Sequence, residues 1–89
     1  MKIKLELYGA SREFSEKDYL EFNLKEKSSI NDLRNEILNF IDKNFKGNDN
    51  FKKLVKSSKF CSEENNIVND NYKIIKDQKI GIIPPIGGG

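Results

Sequence analysis

Apolar and polar residues alternate in two runs near the start of the chain. The apolar members of the first run are Ile3, Leu5 and Leu7. Those of the second run are Leu20, Phe22 and Leu24. A period of two is typical of strands that bury one side. Two such strands, separated by a polar connection, predict a hairpin.

A helix is predicted to begin at Ser29. Its hydroxyl can cap the helix, and Asp32, three residues on, can bond back to the Ser29 backbone. The apolar residues that follow recur at spacings of three and four: Ile30, Leu33, Ile37 and Ile41. The residues expected on the solvent side are Arg34, Asn35, Glu36, Asp42 and Lys43. Gly47 is a natural stop, so the pattern predicts about four turns of amphipathic helix across the hairpin.

Three short extended runs occupy the rest of the chain. Strands are predicted at residues 59–62, 67–68 and 80–83, and the last is expected to be buried on both faces. Residues 46–58 predict only a short turn or helix. A strand that follows a hairpin and a crossover helix is expected to pair in parallel with the first strand. The order predicts an α+β fold of the β-grasp (ubiquitin-like) type, with a mixed sheet of four to five strands packed on one main helix.

The end of the sequence carries the most specific pattern. Pro84 and Pro85 lack backbone donors and fix φ, so they end strand pairing and point the chain outward. Gly87, Gly88 and Gly89 then form a thin, flexible thread without side chains. We predict a β-grasp domain at residues 1–83 and an extended reactive C-terminal tail at residues 84–89. Simple fraying or a leftover linker is the alternative, but the glycines follow a Pro-Pro stop on the final strand of a β-grasp pattern, which favours a reactive tail.

Composition excludes several classes of function. The 89 residues contain no His and one Cys, so Ser-His-Asp, Cys-His and His-ligated metal sites are excluded within this chain. The formal net charge of +2 is too small for the phosphate attraction of a nucleic-acid binder. No apolar run approaches the roughly 20 residues that a membrane-spanning helix needs. A cytoplasmic protein without nucleic-acid or membrane partners is expected.

The residues from Ile82 to Gly89 resemble the C-terminal signature of the small subunit of molybdopterin synthase, the MoaD type. That signature has two apolar residues, Pro-Pro, an apolar residue, a variable residue and Gly-Gly. Residues 76–79 resemble the family's Asp-Gly-Asp turn, although Gln78 and Lys79 depart from it. Residues 8–14 are similar to its aromatic, small and Arg-Glu stretch. The resemblance covers the chain in order, and only the tail motif is specific.

The resemblance implies a sulfur carrier without side-chain catalysis of its own. An E1-like enzyme of the MoeB type would bind ATP and magnesium and adenylate the carboxylate of Gly89, which a sulfur donor would convert to a thiocarboxylate. Gly87 and Gly88 would thread through the partner's tunnel, and Pro84 and Pro85 would position the tail. A large subunit of the MoaE type would then use the sulfur to build the cofactor. The chain itself is expected to bind no cofactor.

The family's apolar contact positions correspond to Tyr8, Val68 and Ile83. They are expected on the solvent-facing side of the sheet, although a shift of one residue would replace Val68 by Ile67. For Ile83, burial in the core and exposure on this face are equally compatible with the pattern. Cys61 is more typical of a small core residue than of a reactive thiol.

A second function stays open at this point. The same tail occurs in small archaeal modifier proteins, which become attached to lysines of other proteins through the terminal glycine. Both functions require adenylation by an E1-like enzyme, and they differ in the fate of the acyl group. A β-grasp adaptor with an inert tail is the third possibility.

Overall fold

A computed structural model describes residues 1–85 of the chain. The elements fall into three successive groups along the chain: a hairpin, a pair of helices and three further strands. The first contains β1 (Lys2–Leu7), a 3-10 helical turn (Gly9–Phe14) and β2 (Tyr19–Asn23). The second contains α1 (Ile30–Asn44) and α2 (Asp49–Ser57). The third contains β3 (Lys59–Cys61), β4 (Ile67–Val68) and β5 (Gln78–Ile83).

The five strands form one mixed sheet in the order β2-β1-β5-β3-β4. β1 pairs with β2 in antiparallel, with Leu5 opposite Leu20, so the predicted hairpin is confirmed. β5 lies in parallel beside β1, with Leu5 opposite Ile80. The predicted parallel pairing after a crossover is therefore also confirmed, and the architecture is the β-grasp fold. β5 begins at Gln78, inside the segment predicted as a turn, because Gln78 pairs with Ile3.

The start of α1 has the predicted capping arrangement. The Ser29 hydroxyl accepts a hydrogen bond from the Asp32 N–H at 3.2 Å, and an Asp32 carboxylate oxygen accepts one from the Ser29 N–H at 2.9 Å. These two bonds satisfy backbone donors that the first turn leaves unpaired. They also lower the pKa of Asp32 below its ordinary value, because both the backbone N–H and the hydroxyl of Ser29 favour the charged carboxylate.

The core lies between α1 and one face of the sheet. Its members on α1 are Ile30, Leu33, Ile37 and Ile41, as predicted, and those on the sheet are Ile3, Leu5, Leu7, Phe60, Ile80 and Ile82. The segment 46–58, where only a short turn or helix was predicted, contains the nine-residue α2. Phe51 of α2 packs against Phe14 and Phe45 with ring centroids about 5 Å apart, which closes one end of the core.

Arg34 does not lie on the solvent side of α1, so that prediction is wrong. Its guanidinium donates to the backbone oxygens of Val55 at 2.6 Å and Ser58 at 2.9 Å, and to the Asp70 carboxylate at 2.7 Å. It also lies 4.9 Å from the centroid of the Phe60 ring. Arg34 therefore joins α1 to the end of α2 and to the loop after β4.

No helix within residues 1–85 is both long enough and apolar enough to cross a membrane.

Candidate functional site

The face of the sheet that points away from α1 carries a row of aligned residues. Glu6, Gly81, Cys61 and Ile67 are register partners across β1, β5, β3 and β4. Because side chains alternate along a strand, this row faces solvent while its neighbours in each strand face the core. We call this side of the sheet the outer face. Ile67 is 57% exposed there, an unusual position for a large apolar residue.

Tyr8 covers Gly81 at the centre of the outer face. A Cβ at position 81 would lie 2.8 Å from Cε2 of the tyrosine, so only glycine leaves room for this ring position. The registers on both sides of Gly81 run without a bulge. Tyr8 keeps 45% of its surface exposed, as its position opposite the core-facing residues predicted.

A groove of about 440 Å³ borders Tyr8. Its other walls are Ile83, Cys61 and the turn after β3, and its charged members are Glu6, Glu63 and Lys79. The Tyr8 hydroxyl lies 3.5 Å from a carboxylate oxygen of Glu6. The negative charge of Glu6 raises the pKa of Tyr8 above its ordinary value, and partial burial of the ring adds to the effect. Tyr8 thus stays a neutral phenol, with an apolar ring and a polar edge available for contact.

Two of the three predicted contact residues lie together, and the third does not. Ile83 is half-buried and lines the same groove as Tyr8. Val68 is the register partner of the fully buried Phe60 and packs against the core. The placement of Val68 on the outer face is therefore wrong, and Ile67 occupies that position. A two-residue strand has too short an alternation to decide between the two faces, since a slip of one residue exchanges them.

The end of β5 lies beside the turn that follows β1. Pro84 is buried and Pro85 is exposed. Gly9 of this turn has a φ of +55°, and a Cβ added there would lie 3.8 Å from the Pro84 ring. The predicted tail residues Gly87, Gly88 and Gly89, with Ile86, lie outside the described residues. The predicted positioning residues thus stand at the base of the tail, at the edge of the outer face.

Side-chain chemistry at this site is sparse. Within residues 1–85 no group of three or more Cys, Asp or Glu side chains is placed to hold a metal ion. Cys61 is a half-exposed free thiol on the outer face, so its expected position in the core is wrong.

Glu6, Gly9 and Cys61 were not included in the candidate site predicted from the sequence. The alternation of β1 could have indicated Glu6, because it shares a face with Tyr8.

The arrangement defines a ubiquitin-like β-grasp domain with a groove, lined by Tyr8 and Ile83 among charged residues, directly before the Pro84–Pro85 end of the described chain. Three solved structures share this fold. SAMP1 from Haloferax volcanii has a TM-score of 0.70 and 11% identity, with all of both chains covered. A protein assigned as subunit 1 of the molybdopterin converting factor from Pyrococcus furiosus has a TM-score of 0.69 and 19% identity over 96% of this chain and 98% of that one.

The third structure is ubiquitin from Caldiarchaeum subterraneum, with a TM-score of 0.61 and 16% identity over 100% of this chain and 98% of that one. No protein-family model and no curated protein matches the sequence. At these identities the likeness establishes the β-grasp fold, and the function has to be argued from the site.

Proposed function

We propose that the chain is a sulfur-carrier protein, the small subunit of a molybdopterin synthase, whose reactive group is the carboxylate of Gly89. The observation that carries the proposal is the geometry at the end of β5. The central strand of the sheet ends at Ile83, which lines a groove together with the exposed Tyr8, and Pro-Pro-Ile-Gly-Gly-Gly follows in the sequence. A docking face beside the base of a thin terminal segment suits a protein whose terminus enters a partner's active site.

The chemistry begins with activation, because a free carboxylate is a poor electrophile. In the proposed reaction a Gly89 carboxylate oxygen attacks the α-phosphorus of ATP on an E1-like enzyme of the MoeB type, and pyrophosphate leaves. The outer sulfur of a persulfide donor (R–S–SH) then attacks the carbonyl carbon of the acyl-adenylate and displaces AMP, which gives an acyl disulfide. A thiol reductant cleaves the S–S bond of this intermediate, which releases the thiocarboxylate and leaves the donor thiol in a mixed disulfide with the reductant. Magnesium and ATP belong to the partner. Gly87 and Gly88 present no Cβ to the walls of its tunnel.

The outer face is proposed to dock both partners, the E1-like enzyme and a large subunit of the MoaE type. Tyr8 and Ile83 form the centre of the contact, and Ile67 takes the place that the sequence assigned to Val68. Exposed apolar side chains with charged neighbours are typical of interaction surfaces. This chain would supply the sulfur in the cytoplasm and leave catalysis to its partners.

Intact-mass analysis of the chain isolated from its own cells tests the carrier. We expect a species heavier by the difference between one sulfur and one oxygen, mapped to Gly89. A variant that lacks Gly88 and Gly89 is the matched control, and it should lack that species. Finding the wild-type chain only as a carboxylate, under conditions in which molybdenum enzymes are active, would contradict the carrier function.

The alternative is a ubiquitin-like modifier joined to lysines through the same carboxylate. The fold shared with the Caldiarchaeum ubiquitin is compatible with this modifier function. Lys79 is the last tryptic site in the chain. Trypsin would therefore leave residues 80–89 on a modified lysine, and not a Gly-Gly remnant. Branched peptides carrying that segment would establish the modifier, and their absence alongside the thiocarboxylate would exclude it.

A further inference from the structure

The turn after β1 has a backbone conformation that suits it to receive Pro84. Gly9 has a φ of +55°, in the left-handed region where side chains are strained. A Cβ at Gly9 would lie 3.8 Å from both Cδ and Cγ of Pro84, which is ordinary contact distance. A Cβ at position 9 would therefore already touch the proline ring, and the positive φ would strain any residue other than glycine there.

Hydrogen bonds from the buried Ser11 stabilise the turn at residues 8–11. The buried Ser11 hydroxyl donates to the Tyr8 backbone oxygen at 2.6 Å, and the Ser11 N–H donates to the same oxygen at 3.2 Å. These two bonds close the chain around Gly9. Tyr8, the residue before Gly9, has its ring over Gly81 of β5. The docking face and the turn beside Pro84 are thus built on adjacent residues.

We propose that Gly9 is a positioning residue for the activation of the tail. The turn at residues 8–11 seats Pro84, and this seat sets the direction in which the chain continues from Pro85. The inference rests on the proposed function, since it concerns adenylation of Gly89. A partner that binds Tyr8 would contact the residue next to Gly9, and Gly9 lies beside Pro84 at the start of the tail. Small misplacements of a reacting group are costly, on the order of 100-fold for about 1 Å.

The test measures pyrophosphate exchange with the full chain, ATP and the E1-like adenylating enzyme of the same source. Gly9→Val adds a β-branched side chain whose Cβ would touch Pro84, and it strains the turn because φ is positive. Gly9→Asn adds a side chain that tolerates positive φ. Gly47→Val is the matched control, because Gly47 has a φ of +68° after α1, and its nearest neighbour is Asp42 and not Pro84.

We expect kcat to fall while KM stays nearly constant. Gly9→Val should lower kcat by about tenfold or more and change KM by less than about twofold, because docking is intact and orientation is lost. Gly9→Asn should keep kcat within about threefold of the wild type, and Gly47→Val should change neither constant by more than about twofold. Pro84→Ala, which empties the seat and leaves Gly9 unchanged, should reproduce the kcat loss even if Gly9→Val does not fold.

Three results would overturn the inference. A rise in KM alone for Gly9→Val would mean that the turn acts through the docking face. An equal loss of kcat in Gly9→Val and Gly47→Val would mean general destabilisation. Wild-type kcat in Pro84→Ala would mean that the seat does not orient the tail. These results leave the proposed function intact, whereas the absence of exchange with the wild-type chain would overturn that function and this inference together.

Discussion

At the scale of single residues, the proposed docking face depends on the fit between Tyr8 and Gly81. A Cβ at position 81 would lie 2.8 Å from the Tyr8 ring, so a side chain there would displace the ring. An aromatic side chain supplies a large contact area at a low cost in conformational entropy. Residues of this kind often dominate the energy of an interface.

Tyr8→Ala is expected to weaken binding to the E1-like enzyme by roughly 10- to 30-fold, the loss that a central aromatic contact typically causes. Titration calorimetry of the full chain against the enzyme measures it. Tyr19→Ala is the control, because Tyr19 lies on the same face of the edge strand β2, outside the groove. Equal affinities for the wild type and Tyr8→Ala would remove Tyr8 from the docking face.

At the scale of elements, the charge of Asp32 links the start of α1 to pH. The folded chain lowers the pKa of Asp32 below 3.8, so its capping contribution is complete above that pH and is lost as the pH falls through the lower folded value. The stability advantage of the wild type over Asp32→Asn should therefore shrink between about pH 6 and about pH 3. Urea unfolding at both pH values measures it. An advantage that stays constant with pH would contradict the capping role of the charge.

Arg34, the phenylalanine cluster and the buried Val55 join α2 to the rest of the fold. Arg34→Met is expected to reduce the free energy of unfolding by about 2–4 kcal/mol, because it leaves carbonyl groups at the end of α2 without their charged donor. Arg12→Met, at the exposed arginine of the 3-10 turn, is the matched control and should cost less than about 1 kcal/mol. Similar losses in the two variants would contradict this role of Arg34.

Local patterns predicted α1 and the hairpin because each extends over enough residues to show its period, and the Ser29–Asp32 cap marks the helix start directly. They failed where a residue's surroundings come from distant parts of the chain. Nothing near Arg34 in sequence shows that the end of α2 reaches it. Likewise, the two residues of β4 cannot show which of them faces outward.

At the scale of the whole molecule, the order of the strands explains why the candidate site lies at the end of β5. β5 lies at the centre of the sheet between β1 and β3. Its end is therefore held by neighbours on both sides, and the chain emerges from the most firmly paired part of the fold. The proposed tail and two residues of the proposed docking face, Tyr8 and Ile83, could be predicted from the sequence, but the proximity of Gly9 to Pro84 joins residues 75 positions apart and required the folded structure.

The most direct test of the central claim is chemical trapping of the activated terminus. The full chain is incubated with its E1-like enzyme, ATP, magnesium and hydroxylamine, and the product is analysed by intact and peptide mass. The account predicts an ATP-dependent hydroxamate on Gly89, and none on a chain that lacks Gly88 and Gly89. A wild-type chain that keeps an unmodified terminus, with an enzyme shown to be active on another substrate, would contradict it.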